Sequence, residues 1–141
     1  MPLSTRLKEK EEKLRQILDS LAEESAKGTP IIVEGKKDTQ ALRNLGITGP
    51  ILTVKTGGKS FIQALHEIEQ THALEVILLL DFDRRGKEGT KHLKQNLEHA
   101  KIKPNLTFWQ SLSALFGREI QCIESLTAYI ETLKKKTDPK L

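Results

Sequence analysis

Cysteine and long apolar runs are scarce in this 141-residue chain, and each scarcity excludes a class of protein. The single cysteine, Cys122, cannot form an intrachain disulfide, which favours a reducing compartment. The longest apolar run, residues 76–80, is far too short to span a bilayer. The charged stretch 1–27 has no apolar segment of the kind that secretory signals carry. We therefore expect a cytoplasmic protein with no membrane partner.

Aromatic residues make up only 4% of the chain, which is too few to predict a surface on which nucleic-acid bases stack. The four histidines form no short-spaced pairs, and the chain has a single cysteine as a further zinc ligand, so no zinc site is predicted. Cys122 lies in an apolar helical pattern and is expected to be a buried thiol. The net charge of +4 is compatible with a polyanionic partner without establishing one.

Strands and helices alternate along the chain. Apolar residues at helical spacing predict a first helix over 3–26, which ends near Gly28. Short apolar segments at 30–34, 51–54, 76–80 and 106–109 are typical of strands. Further helices are predicted over 39–45, from Ser60 with a capping box to Gln63, over 86–100, and as a pair within 111–136 that is broken near Gly117.

This alternation predicts an α/β fold with a mostly parallel four-stranded sheet, flanked by helices and extended by further helices at both ends. We divide the chain into an N-terminal amphipathic helix packed on the domain (1–28), the α/β domain itself (29–110) and a C-terminal helical extension (111–141). The alternative for the terminal helices is that they join copies of the chain into an oligomer.

Acidic residues follow two of the predicted strands. Glu34 closes the first strand, and Asp81 and Asp83 follow the third. Because side chains alternate along an extended segment, Asp81 and Asp83 should point to the same side and Phe82 into the core. If strands one and three are neighbours, the carboxyl edge of the sheet gathers all three carboxylates. Their mutual repulsion would be relieved by a hard cation, for which Mg²⁺, with Mn²⁺ as a substitute, is suited.

The segments 31–38 (IIVEGKKD) and 79–86 (LLDFDRRG) resemble the two signature motifs of the Toprim family. The resemblance spans about residues 29–110 and implies the Toprim fold. It implies that Glu34 acts in acid/base catalysis or shares the metal, and that Asp81 and Asp83 hold Mg²⁺. The whole chain is most similar to the small stand-alone, primase-like Toprim proteins of archaea.

Basic residues flank the acidic positions, and we expect two or more of them to contact phosphates: Lys36, Lys37, Arg84, Arg85 and Lys87. Asp38, in the same motif as Glu34, either tunes the acidic site or caps a helix.

A glycine pair precedes the predicted helix at Ser60. Gly57, Gly58 and Lys59 would offer backbone N–H groups and a cation to a phosphate. The segment is not a Walker A motif, because position 53 is a threonine where that motif needs glycine. It is similar to a Thr-Gly-Gly stretch of the ribosomal-RNA maturation nucleases, and a plain tight turn is the alternative.

The chain is too short for a full primase, and its only tyrosine, Tyr129, lies on an amphipathic helix, which does not fit a topoisomerase nucleophile. The resemblance implies a Mg²⁺-dependent phosphoryl-transfer protein whose partner is RNA or DNA. The first hypothesis is a nuclease of structured RNA, similar to the enzymes that mature 5S ribosomal RNA, or of DNA. The alternative is a non-catalytic nucleic-acid-binding or recombination-mediator module, or a primase-like accessory protein.

Overall fold

The computed structural model describes residues 2–55, 60–116 and 119–137, and its centre is a sheet of four parallel strands. The strands are β1 (Ile31–Val33), β2 (Ile51–Thr53), β3 (Glu75–Leu78) and β4 (Lys103–Asn105), in the order β2-β1-β3-β4. The α/β fold with a parallel four-stranded sheet is therefore confirmed, and so is the adjacency of the first and third strands.

Six α-helices and one 3₁₀ turn accompany the sheet in the described residues. The α-helices are α1 (Pro2–Ala26), α2 (Lys36–Asn44), α3 (Phe61–Gln70), α4 (Arg84–His99), α5 (Thr107–Phe116) and α6 (Leu126–Thr137), and the 3₁₀ turn is Ile123–Ser125. Among these residues no helix is long and apolar enough to cross a membrane.

The sheet separates two apolar layers, because successive side chains of a strand point to opposite faces. Ile31 and Ile77 face one layer, which also takes residues from α1, α2, α5 and α6. Ile32 and Leu78 face the other layer, which α3 and α4 cover. The central strands are buried on both faces, which explains their continuous apolar sequence.

The N-terminal helix is part of the first layer. Leu14 and Leu21 of α1 are buried there, each contributing about 1.5–3 kcal/mol of hydrophobic stabilisation. The end of α1 is fastened by a hydrogen bond of 2.9 Å from the Gly49 N–H to the buried hydroxyl of Ser25. Leu14 and Leu21 are therefore covered by the chain's own core.

The predicted strand at 106–109 is wrong. Strand β4 ends at Asn105, and the Asn105 side chain accepts a hydrogen bond from the Thr107 N–H (2.9 Å), at the start of α5. Phe108 and Leu112 then recur at helical spacing in the core. Pro104 made β4 hard to recognise, but β4 is an edge strand, where the missing N–H is tolerated.

The structure also tests the predictions for the start of α3 and for Cys122. The capping box of Ser60 and Gln63 at the start of α3 is confirmed. Cys122 is not a buried helical thiol: it precedes the 3₁₀ turn in an extended conformation, is half-buried, and lies 3.2 Å from the Ser125 hydroxyl. The predicted break near Gly117 lies outside the described residues.

The close approach of Gly49 to the end of α1 yields a prediction. A Cβ atom at position 49 would lie 2.0 Å from the Ser25 backbone carbonyl oxygen, so Gly49→Ala must displace either α1 or the loop. We expect a loss of about 1–3 kcal/mol in the free energy of unfolding, measured by urea denaturation. Gly35→Ala is the control, because nothing lies within 4 Å of its added Cβ and its φ of −156° is extended. Equal losses in both variants would contradict the steric explanation.

Candidate functional site

Two acidic residues meet at the carboxyl edge of the central strands. Glu34 directly follows β1, and Asp81 follows β3 after two further extended residues. The ladder continues past the strand ends, because the Leu79 N–H donates to the Ile32 carbonyl (2.8 Å) and the Lys55 N–H to the Glu34 carbonyl (3.0 Å). Parallel pairing therefore delivers both carboxylates to one edge, as expected for a ligand site in an open parallel sheet.

These carboxylates border a cleft of about 340 Å³. It is lined by residues from three parts of the chain: Glu34, Gly35, Lys36, Lys37 and Asp38 after β1, Lys55 and Asp81 after β2 and β3, and Cys122 and Glu124 near the 3₁₀ turn. The sequence hypothesis did not include Lys55, Cys122 and Glu124, because nothing in the local sequence links those positions to the two motifs.

Two of the carboxylates that line the cleft have an oxygen without a hydrogen bond. Glu34 Oε2 and Asp81 Oδ1 are buried and accept no hydrogen bond from the described residues. The Lys55 ammonium lies 3.0 Å from Glu34 Oε2, close enough for an ion pair although the contact is not oriented as a hydrogen bond. A buried carboxylate oxygen without a hydrogen bond is costly, so these atoms are suited to a ligand that would satisfy them.

The electrostatics of Asp81 reflect the same crowding. Burial raises the pKa of the Asp81 carboxyl to about 7, and the negative charges of Asp38, Glu34 and Asp83 add to the rise, while Lys55 opposes it. Without a cation in the cleft, Asp81 is therefore partly protonated near neutral pH.

Asp83 has a different position from Glu34 and Asp81. It does not line the cleft but caps α4, accepting a hydrogen bond of 2.8 Å at Oδ1 from the Gly86 N–H. Gly86 is needed there, because a Cβ would lie 2.0 Å from the Asp81 carbonyl oxygen. The Asp-x-Asp-x-x-Gly spacing thus serves to pack the first turn of α4 directly against the Asp81 backbone.

Asp38 is a buried connector. Its Oδ2 accepts a hydrogen bond from the Gly35 N–H (3.1 Å), and its Oδ1 accepts one from the Glu124 N–H (3.1 Å), 86 residues later in the chain. Burial raises the pKa of Asp38, while these two hydrogen bonds lower it in part. Asp38 is not the N-cap residue of α2, which is Gly35, but its carboxylate caps the same helix end by accepting the Gly35 N–H from the third position of the first turn.

The predicted basic contacts occupy three different environments. Lys36 and Lys37 are exposed at the rim of the cleft. Arg84 lies 3.5 Å from Glu88 one helical turn away, whereas Arg85 lines a separate groove beside Glu34. Lys87 is exposed on α4. The predicted phosphate-binding residues Gly57, Gly58 and Lys59 lie outside the described residues.

The chemistry of the oxygen donors in the cleft fits Mg²⁺. Within 2–55, 60–116 and 119–137, no three Asp, Glu, His or Cys side chains are already arranged to share a metal ion. Glu34 and Asp81 nevertheless offer two buried carboxylate oxygens without hydrogen bonds. Mg²⁺ is bound in many proteins by one or two carboxylates, with waters and substrate phosphates completing its coordination. Glu34 and Asp81 are therefore the residues that would hold it.

Comparison with known proteins gives consistent matches. Residues 29–111 match the family model described as Toprim domain. The chain is 35% identical over 127 residues to a UPF0292 protein of Methanosarcina acetivorans, covering 89% of this chain and 85% of that protein. It is 36% identical over 120 residues to a UPF0292 protein of Methanocaldococcus jannaschii, covering 84% and 91%. A solved structure of a protein from Aquifex aeolicus matches with a TM-score of 0.66 and 26% identity, covering 79% of this chain and 95% of that one.

The raised pKa of Asp81 predicts how stability depends on pH without metal. The folded-state pKa of about 7 exceeds the ordinary 3.8, so the folded state binds this proton more tightly than the unfolded state does. The contribution of Asp81 therefore destabilises the fold progressively as pH rises from about 4 to 7. Asp81→Asn should be more stable than wild type at pH 8 in EDTA, with the advantage disappearing towards pH 4. Thermal unfolding of both proteins between pH 4 and pH 8 measures this difference in stability. A difference that does not change with pH would contradict the prediction.

Proposed function

Because the chain belongs to the Toprim domain family, whose members are metal-dependent modules that act on nucleic acids, we propose that it is a Mg²⁺-dependent nuclease. The observation that carries the proposal is the pair of buried, unsatisfied carboxylate oxygens of Glu34 and Asp81 in one cleft. Structured RNA is the proposed substrate, in keeping with the resemblance to ribosomal-RNA maturation nucleases, and DNA is the second.

The charges around the cleft support a phosphate-bearing ligand. Both carboxylates and lysines line it, the lysines being Lys36, Lys37 and Lys55. A substrate phosphate alone would be repelled by Glu34 and Asp81, and a cation alone would be repelled by the lysines. A bound divalent cation together with a phosphate satisfies both sets, which is the arrangement that phosphoryl-transfer sites use.

We assign the following roles to the side chains in the cleft. Mg²⁺ held by Glu34 and Asp81 would supply electrostatic stabilisation of the charge that develops on the scissile phosphate. Glu34 would also accept the proton of the attacking water as general base. Lys36 and Lys37 would contact phosphates that flank the reacting one.

A second candidate function is a nucleic-acid-binding module without catalysis. The observation that favours it is the Lys55 ammonium at 3.0 Å from Glu34, which offsets the charge of that carboxylate without any metal. In this case Lys55 would keep Glu34 paired in the working protein, and the lysines at the rim would provide phosphate binding alone.

Substitution of the carboxylates separates the two candidates. Asp81→Asn removes one negative charge and should weaken Mg²⁺ binding and cleavage together. Glu34→Gln should lower the cleavage rate about 100- to 10,000-fold while weakening Mg²⁺ binding less, because a general base acts only in the chemical step. Cleavage of labelled structured RNA and DNA is measured with Mg²⁺ or Mn²⁺ and with EDTA, and Mg²⁺ affinity by calorimetry.

Glu88→Gln is the matched control, because Glu88 is an exposed glutamate that lies beside Arg84 on α4. It should cleave at the wild-type rate. Wild-type protein that binds RNA or DNA but cleaves neither, with either metal, would support the binding module. Cleavage that survives both Asp81→Asn and Glu34→Gln would contradict the assignment of this cleft as the active site.

The positions of the two arginines predict different salt dependences of binding. Arg85→Ala should reduce the slope of log affinity against log salt concentration by roughly 1, because one phosphate contact is lost. Arg84→Ala should change it by less, since Arg84 lies near Glu88. Arg15→Ala on α1 removes the same charge elsewhere and is the control. Equal slopes for all three variants and wild type would exclude Arg85 from the nucleic-acid interface.

A further inference from the structure

A second concavity lies on the other side of Glu34. It is a groove of about 270 Å³ between the start of α3 and the first turns of α4. Its apolar lining includes Phe61, Leu80 and Leu93, of which Phe61 is the part-exposed one while the two leucines are buried behind it. Its polar residues are Glu34, Lys55 and Arg85. The volume is close to the lower limit of about 300 Å³ for small-molecule sites, so the groove suits a single ring system better than an extended cofactor.

The groove and the cleft share two residues. Glu34 and Lys55 line both, so a ligand in the groove would lie beside whatever occupies the cleft. Arg85 belongs to the groove and not to the cleft. A ligand that carries a phosphate could therefore extend from the cleft into the groove. It would pass Lys55, which lines both, and reach Arg85 in the groove.

Phe61 is the aromatic residue at this site. Its ring is half-buried against the second apolar layer and stacks on His92, with ring centroids 4.7 Å apart and an interplanar angle of 27°. The pair holds the phenyl ring in a defined orientation at the groove. The low aromatic content of the chain did not predict any stacking surface, and the structure places Phe61 in a groove that Glu34 also lines.

We propose that this groove binds one unpaired nucleobase of the nucleic acid whose phosphate enters the cleft. The inference rests on the proposed function, to which it adds a base-binding subsite. A nucleobase has apolar faces and polar edges and is joined to phosphates, which matches an apolar wall bordered by Arg85, Lys55 and Glu34. An apolar peptide side chain would satisfy the wall but would offer no polar group to Arg85 or to the Glu34–Lys55 ion pair.

The substrate class follows from this subsite. A base can enter the groove only when it is unstacked from its neighbours, so the site selects a single-stranded segment, a bulge or a loop over a continuous duplex. In a structured RNA, the phosphate held in the cleft would therefore be next to an unpaired nucleotide.

Affinity for a single strand with and without bases tests the proposal. Eight-nucleotide strands of RNA and of DNA are compared with all-abasic strands of the same length and charge, by fluorescence anisotropy with Ca²⁺ to suppress cleavage. Wild-type protein should bind the base-containing strand about 5- to 150-fold more tightly, the range expected when one base stacks on an aromatic side chain. Phe61→Leu keeps an apolar side chain in the layer and should reduce this preference to near one, with little change in abasic affinity.

Two further variants control for a general effect on folding. Ile62→Ala alters the neighbouring residue, whose side chain is 78% exposed, and should keep the wild-type preference. Phe61→Trp should restore it. Equal affinity of wild-type protein for base-containing and abasic strands would overturn the base subsite while leaving the nuclease proposal standing. Failure to bind any of these single strands would also overturn the base subsite, whereas the nuclease proposal is decided separately by cleavage of structured RNA and DNA. A preference that survives Phe61→Leu would show that the base is bound elsewhere.

Discussion

The carboxylate of Asp38 is the interaction on which the shape of the site depends. It accepts one hydrogen bond from Gly35, at the end of β1, and one from Glu124, near the other end of the chain. The Phe82 N–H adds a second connection to the same distant segment through the Gln121 carbonyl. These bonds hold residues 121–124 across the carboxyl edge of the sheet, so the cleft has a wall that the α/β core alone does not provide.

The family and the fold could be predicted from the sequence because they depend on local patterns. The continuous apolar strands, the two motifs after β1 and β3 and the capping box at Ser60 each lie within a few residues. The strand prediction at 106–109 failed because Phe108 and its neighbours favour both strand and helix, and the deciding signal was the turn at Asn105. The adjacency of β1 and β3 was the condition under which the carboxylates would meet, and the parallel pairing of these strands fulfils it.

The composition of the candidate site was less predictable, because its parts come from distant positions. Lys55 follows an edge strand without any recognisable motif, and it lies against Glu34 only because β1 and β2 pair in parallel. Asp38 had two interpretations in the sequence, and its hydrogen bond from Glu124, 86 residues away, could not be predicted from either. Phe61 is one aromatic residue among few, and its importance comes from its position between Glu34 and α4.

The late position of residues 121–124 has a consequence for how the protein is made. During translation the whole parallel sheet, including Glu34 and Asp81, leaves the ribosome before this segment does. A nascent chain that has already paired β1 with β3 would therefore carry Glu34 and Asp81 open to solvent and free to take up cations. The cleft is complete only when the Glu124 N–H donates its hydrogen bond to Asp38. The sheet can therefore fold before residues 121–124 are available to complete the site.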